Sequence, residues 1–499
     1  LAAAQVEIQV DDASGLMDQV KRLREKISNQ QALLTKLSLA NQPEAKTEPV
    51  RAQITGLEAE LSQKLNQLYQ QNPKLAQLQN PVILTAEEIQ KTLLDPETAL
   101  VEFLVGPQEV CVWLVTADDI TSFVIKDAEQ VKHLGKQCVA FLQPESSGMR
   151  FKPGSMTEFS TVSQQLSQLL FGPIESKLRN KKRLLVVADD VLQLLPLAAL
   201  PLPVPQNQTS SSSGAPPEPF VTRFEIVSLP SASTLANLRQ EIARRGPAEK
   251  MIAVVADPVF SPDDPRLKRK QPADGQPAAP VDEFSEINRN LTKFNAAVSA
   301  DETDSTKRFS VSRLPGTRRE AQEILKLVPA NQSFSALDFA ASRELVTNSQ
   351  ELQKYRYLHF ATHGFASQYS GLVLSLVDDK GSERNGFLML EDLYNLKLNA
   401  DLVTLSACDT GRGKEVRGEG IVGLTCGFMY AGAPRLVVSL WPVSDSATAE
   451  LMTAFYQGLL KEGLRPAAAL RKAQLKLQQS KRWNSPTYWA AFQLQGEWK

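Results

Sequence analysis

The chain has 499 residues, 42% hydrophobic and 22% charged, which is too long for one hydrophobic core and otherwise typical of a globular protein. Its 55 basic and 56 acidic side chains nearly cancel, leaving no bulk electrostatic reason to expect a nucleic-acid or membrane partner. Four cysteines, Cys111, Cys138, Cys408 and Cys426, stand far apart with no CxxC pair, so neither a zinc knuckle nor a disulfide framework is expected, and a reducing cytoplasm fits.

No basic and apolar leader opens the chain, and because residue 1 is Leu, further sequence is expected upstream. Residues 14–79 carry a helical stripe that includes Leu57, Leu61, Leu65 and Leu68, and the break at Asn41, Pro43 and Pro49 predicts two helices folded as a hairpin. Such a hairpin fits a spacer or a docking stalk for a regulatory protein. From Ala99 the period changes: ALVEFLVG, VCVWLVT and ITSFVI read as short strands, and RLLVVADD at 183–190 reads as a buried parallel one. Two polar tracts, 203–219 and about 261–306, have too little apolar content to offset the entropy of ordering and are expected to be mobile insertions. The basic run Lys268, Arg269 and Lys270 leaves regulatory or self-cleaving roles open for the second tract.

Strand and helix patterns then alternate through MIAVVADPVF (251–260), RREAQEILKLV (318–328), YRYLHFATHG (355–364), DLVTLSACDTG (401–411), a helix-like stretch near 420–431, and RLVVSLWPVSD (435–445). Alternation of this kind predicts a mostly parallel sheet with crossover helices, whose sites gather at the C-terminal ends of the strands. The longest apolar stretch, Gly420 to Val443, is broken by glycines, prolines and Arg435 and makes a poor membrane span.

His363 and Cys408 each close a predicted strand. If those strands are neighbours, a thiol and an imidazole share one edge, the arrangement a cysteine nucleophile needs, since the thiolate is the attacking species. Gly364 would let the backbone approach a substrate carbonyl, so that its N–H and that of Cys408 could hold an oxyanion. The bland alternative is a small buried cysteine and a satisfied histidine. His359 is a rival base on the same run, but its position between Leu358 and Phe360 favours a structural role. HFATH lacks the glutamate of HExxH and lies on a strand, which argues against zinc; GRGKEVRGEG at 411–420 lacks the P-loop pattern and reads as a loop lining a groove. Trp441 and Trp489 read as wall or core.

HFATHG at 359–364, LSACDTGRG at 405–413, GEGIVGLTCGFMYAGAPRLVVSLWPVSDSATAELM at 418–452 and SPTYWAAFQLQGEW at 485–498 resemble the CHAT family, with likeness reaching back to about residue 81. That family is caspase-like, distantly related to separases, and often attached to tetratricopeptide repeats. The resemblance implies a caspase-like α/β/α sandwich with a mostly parallel sheet, divided into a helical region (1–80), an inactive caspase-like partner domain (81–245) and an active protease domain (246–499). It implies an endopeptidase with Cys408 as nucleophile and His363 as base, acting on specific proteins without metal or cofactor. Caspases carry Gln two residues before the cysteine; here that position is Ser406, so a preference for aspartate is not expected. Three residues become candidates for the pocket that receives the side chain before the scissile bond: Ser406, Asp445 after Trp441, and Asp257 after MIAVVA. An acid there would want an Arg or Lys guest, although Asp257 could equally set a turn and Asp445 cap a helix. Two rivals remain: a non-proteolytic signalling scaffold with a vestigial or masked dyad, and a hydrolase of a small amide.

Overall fold

A computed structural model describes residues 15–39, 43–71, 83–143, 155–204, 218–267, 311–348, 350–366, 370–406, 413–416, 420–441 and 443–499. The two polar tracts therefore fall largely outside the described residues. The expected hairpin is present as α1 (Leu16–Leu39) and α2 (Glu44–Gln71). Its break is shorter than the prolines imply, because Pro49 lies inside α2. It stands in the second turn, where the helix forgoes one backbone bond, the one that would run to the Ala45 carbonyl, and continues past it.

The three short strands expected here are present as β1 (Thr98–Val105), β2 (Val110–Val115) and β3 (Ile120–Ile125), and they pair as an antiparallel meander. After α3 (Ala128–Leu142) and α4 (Ser155–Phe171), strands β4 (Arg183–Val187) and β5 (Glu225–Leu229) continue in parallel from β1. Helix α5 (Ala232–Arg244) leads to β6 (Lys250–Pro258), and α6 (Pro315–Leu325) to β7 (Ser333–Asp338) and β8 (Tyr355–Ala361). A small antiparallel sheet follows, made of β9 (His363–Ala366), β10 (Ser370–Val373) and β11 (Phe387–Met389). Then come β12 (Leu402–Ser406), the hairpin β13 (Gly413–Val416) and β14 (Gly420–Gly423), α7 (Leu424–Tyr430), β15 (Arg435–Ser439), α8 (Asp445–Leu460), α9 (Pro466–Gln478) and β16 (Phe492–Gly496). The helix expected near 420–431 is thus shorter, and the glycine-rich stretch before it pairs as a hairpin rather than remaining a plain loop.

One sheet runs through both halves, in the order β3-β2-β1-β4-β5-β16-β15-β12-β8-β6-β7. Its join is β16, antiparallel to β15 and parallel to β5. Side chains alternate across the second half: Ile252, Val254 and Ala256 of β6 enter the core under α6 and α8, while Ala253 and Val255 enter the core under α7. Tyr357 and Ala361 of β8 share the first face, and Leu358 and Phe360 the second. Burial on both faces explains why these strands read as continuous apolar runs. Trp441, Trp489 and Trp498 are all buried.

Candidate active site

Three parallel strands bring their C-terminal ends to one rim. The register sets Ala256 of β6 opposite Ala361 of β8, and Ala361 opposite Ser406 of β12. Asp257 follows this row by one residue, His363 by two, and Cys408 by two along the chain. Cys408 itself lies in 407–412, outside the described residues. Neighbouring strands in such a sheet are about 4.8 Å apart, so the row is compact.

His363 does not end β8, as the sequence implied, but opens β9, after buried Thr362 donates its hydroxyl to the Val373 carbonyl. His363 faces Val373 across β9–β10, and Gly364 faces Leu372. The half-buried imidazole meets the Phe260 ring edge-on at 5.3 Å, and its Nε2 lies 2.8 Å from the Ser312 carbonyl. Burial lowers its pKa below the ordinary 6.5, and the Ser312 carbonyl partly opposes that shift. A carbonyl can only accept, so Nε2 carries the proton and Nδ1 is the basic nitrogen of a neutral ring.

His359 is fully buried on the α8 side of β8. Its Nδ1 is 3.3 Å from the Tyr456 hydroxyl, which donates to Thr404, and its Nε2 is 3.0 Å from the buried Glu320 carboxylate of α6. The sheet interior thus encloses it, away from the rim. Because β8 stops at Ala361, the strand alternation that would have put His359 and His363 on one face does not extend to His363.

Asp257 is buried, in the left-handed backbone region at φ 50°. Its carbonyl accepts from Arg266 at 2.8 Å. Its carboxylate binds Arg313 through both oxygens, at 2.8 and 2.7 Å, and Arg318 at 2.6 Å, with Arg266 3.2 Å away. Arg266 also pairs with Asp264 and Asp338, and Arg318 with Asp338. Burial alone would raise the Asp338 carboxyl; the Arg318 and Arg266 guanidiniums outweigh it and hold the group below its usual range. Three carboxylates and three guanidiniums form this cluster.

Asp445 opens α8 rather than capping it; the cap position belongs to Ser444. Its carboxylate instead crosses to α6 and accepts the Gly316 amide at 2.5 Å. Burial raises the Asp445 carboxyl, the charges of Glu320 and Asp257 push the same way, and the Gly316 amide opposes them. A Cβ on residue 316 would collide with that carboxylate, which is why glycine suits the position. Ser406 ends β12 almost fully buried, with no hydrogen bond from its hydroxyl among the described residues. Sequence reasoning missed Ser312, Arg313, Arg318 and Phe260. Their role depends on a loop returning to the rim, and the only local signal was the cluster of arginines in SRLPGTRRE.

A family model described as "CHAT domain" matches residues 160–497. The chain belongs to the CHAT domain family. Among curated proteins, this CHAT chain is 25% identical over 402 residues to human tetratricopeptide repeat protein 28, covering 71% of the chain and 14% of that protein. It is 40% identical over 113 residues to the mouse protein of the same name, covering 23% of the chain and 4% of that protein. The CHAT chain therefore spans a small part of the length of these relatives. Among solved structures, it resembles the Saccharomyces cerevisiae separase–securin complex, with a TM-score of 0.50 and 10% identity over 85% of this chain and 31% of that one. That likeness is one of fold, a mixed α/β architecture built on a large, mostly parallel sheet. Among its described residues no helix is long and apolar enough to cross a membrane.

Proposed function

We propose that this chain is a cysteine endopeptidase of caspase and separase type acting on specific protein substrates. Cys408 attacks the scissile carbonyl, His363 takes the thiol proton at its basic Nδ1, and the Gly364 and Cys408 amides hold the oxyanion. The attack forms a thioester, the proton passes to the leaving amine, and water then releases the acid. None of this requires a metal or cofactor.

The observation that carries the reading is the parallel pairing of β8 with β12 in the register Ala361↔Ser406. From that row Cys408 is two residues away, and two residues of backbone span about 7 Å at most. Neutral His363 supports it, since only an unprotonated imidazole can accept a proton. For the pocket, Asp257 is the strongest of the three candidates because it already binds a guanidinium through both oxygens. Asp445 is committed to the Gly316 amide, and Ser406 would line the wall. Residues 81–245 are read as an inactive partner domain, the helices of 1–80 as a docking site for a regulatory protein, and the compartment as cytoplasmic. The free thiols Cys111 and Cys138 support the last point.

The second reading is a masked signalling scaffold, favoured by the Ser312 carbonyl that already occupies His363. A thiol-directed covalent probe separates the two. The protease reading expects labelling at Cys408 that Cys408→Ala abolishes and His363→Ala slows by about 10²-fold or more, together with cleavage in a peptide library. Labelling indifferent to His363, with no cleavage of any peptide, overturns it.

A further inference from the structure

The chain segment Val311–Leu314, just ahead of α6, lies across the rim and touches each part of the site in turn. Val311 packs into an apolar cluster with Phe260, Val373, Phe387 and Met389. The next residue, Ser312, presents its carbonyl to His363 Nε2. Arg313 forks onto Asp257. Leu314 then accepts the Thr317 hydroxyl and starts α6 at Pro315. Four consecutive residues thus supply a hydrophobic anchor, a main-chain contact to the catalytic base and a basic side chain in the acidic pocket, which are the contacts a bound peptide would make.

We infer that Val311–Leu314 is a built-in occupant of the substrate site, with Arg313 holding the place of an arginine side chain of an incoming peptide. The inference rests on the peptidase reading and adds how the site is kept closed. The neighbouring arginines differ in kind. Arg266 is tied to Asp264, to Asp338 and to the Asp257 and Pro258 carbonyls, and Arg318 is shared with Asp338. Arg313 pairs with Asp257 and is the most exposed of the three, at 35% against 28% and 14%. Its withdrawal leaves the cluster with three carboxylates and two guanidiniums, a partly buried negative charge that favours one basic guest over none. The same withdrawal frees the His363 Nε2–H from the Ser312 carbonyl. A residue that merely neutralised Asp257 would need no neighbour on the catalytic histidine.

The test uses the full chain and a fluorescent Val-Ser-Arg-Leu peptide, with a norleucine peptide in place of arginine as control. An occupant in place more than 90% of the time lowers the apparent affinity of a competitor about tenfold or more. Anisotropy titration should therefore give at least that gain for Arg313→Ala over the unmodified chain, abolished in Arg313→Ala with Asp257→Asn and absent for the norleucine peptide. Hydrogen exchange on the unmodified chain supplies a readout that needs no variant to fold: saturating arginine peptide should speed exchange at 311–314. Equal affinity in the two proteins, or unchanged exchange at 311–314 with peptide bound, overturns the inference. The thiol probe separates the two ideas. Peptide gain without Cys408 labelling or cleavage sinks the peptidase and keeps the occupant, whereas cleavage with equal affinities does the reverse.

Discussion

The behaviour of His363 follows from what surrounds one ring. Burial depresses its pKa below 6.5, so the unfolded chain takes up a proton at this residue more readily than the folded one. Where the unfolded state binds more protons, stability rises with pH. The neutral ring's contribution is therefore complete above 6.5 and is lost as pH falls from there through the lowered folded value. Unfolding midpoints compared between wild type and His363→Gln should show a wild-type disadvantage that grows on acidification below pH 6.5; a difference independent of pH would contradict the burial argument. At Asp445 the effect is local and mechanical. Its carboxylate holds the Gly316 amide at the start of α6, where a negative charge also meets the positive end of the helix. Asp445→Ala should cost about 1–2 kcal/mol in urea unfolding, and Asp445→Asn, which keeps an acceptor oxygen, should recover much of it. No loss in the alanine variant would mean that the contact carries no stability.

At the scale of elements, the strands were legible and their ends were not. Apolar runs such as MIAVVAD and YRYLHFA specify strands buried on both faces, because each alternate side chain finds a core. The end of β8 is set instead by Thr362 turning to the Val373 carbonyl, a partner that no local pattern reveals. For the same reason Asp445 looked like a pocket acid or a cap for its own helix: its true partner is 129 residues away. Helix α1 illustrates what the stripe could and could not tell. Arg24 lies over the Tyr394 and Tyr430 rings, and Ala32 enters the cluster of Phe260, Phe387 and Met389 that also receives Val311. Lys36 of the same helix is buried, with its ammonium 5.6 Å from the Phe387 ring. Burial lowers its pKa from 10.5 to about 8, with Glu383 opposing. The folded state then releases this proton before the unfolded state does, so the penalty for the buried charge is full below about 8 and is relieved as pH climbs toward 10.5. Hydrogen exchange in α1, corrected for intrinsic rates, should slow between pH 8 and 10, and Lys36→Met should remove that dependence. A helix whose protection is flat across this range would show that its docking does not depend on the buried amine.

For the molecule as a whole, the resemblance implied two caspase-like units; what the fold shows is one sheet whose two halves meet at a single strand. β16 takes its registers from both sides, pairing Leu494 with Val437 of β15 and with Val227 of β5. Residues just beyond it complete the join. The Trp498 ring lies under the Arg183 guanidinium of β4 at 3.6 Å, and buried Glu497 pairs with Arg239 of α5, which also binds the Thr92 and Leu93 carbonyls. The final residues of the second half are thus built into the core of the first. Such an arrangement should unfold as one cooperative unit, because separating the halves exposes a buried tryptophan, leaves a carboxylate without its cation and breaks a central sheet pairing. Calorimetry should accordingly give one transition for the sheet. Trp498→Ala should remove about 3–5 kcal/mol and lower that transition as a whole, since the residue belongs to both halves. Two transitions in the unmodified chain, or a variant that lowers only one of them, would mean that the halves are separate domains that share an edge without sharing stability.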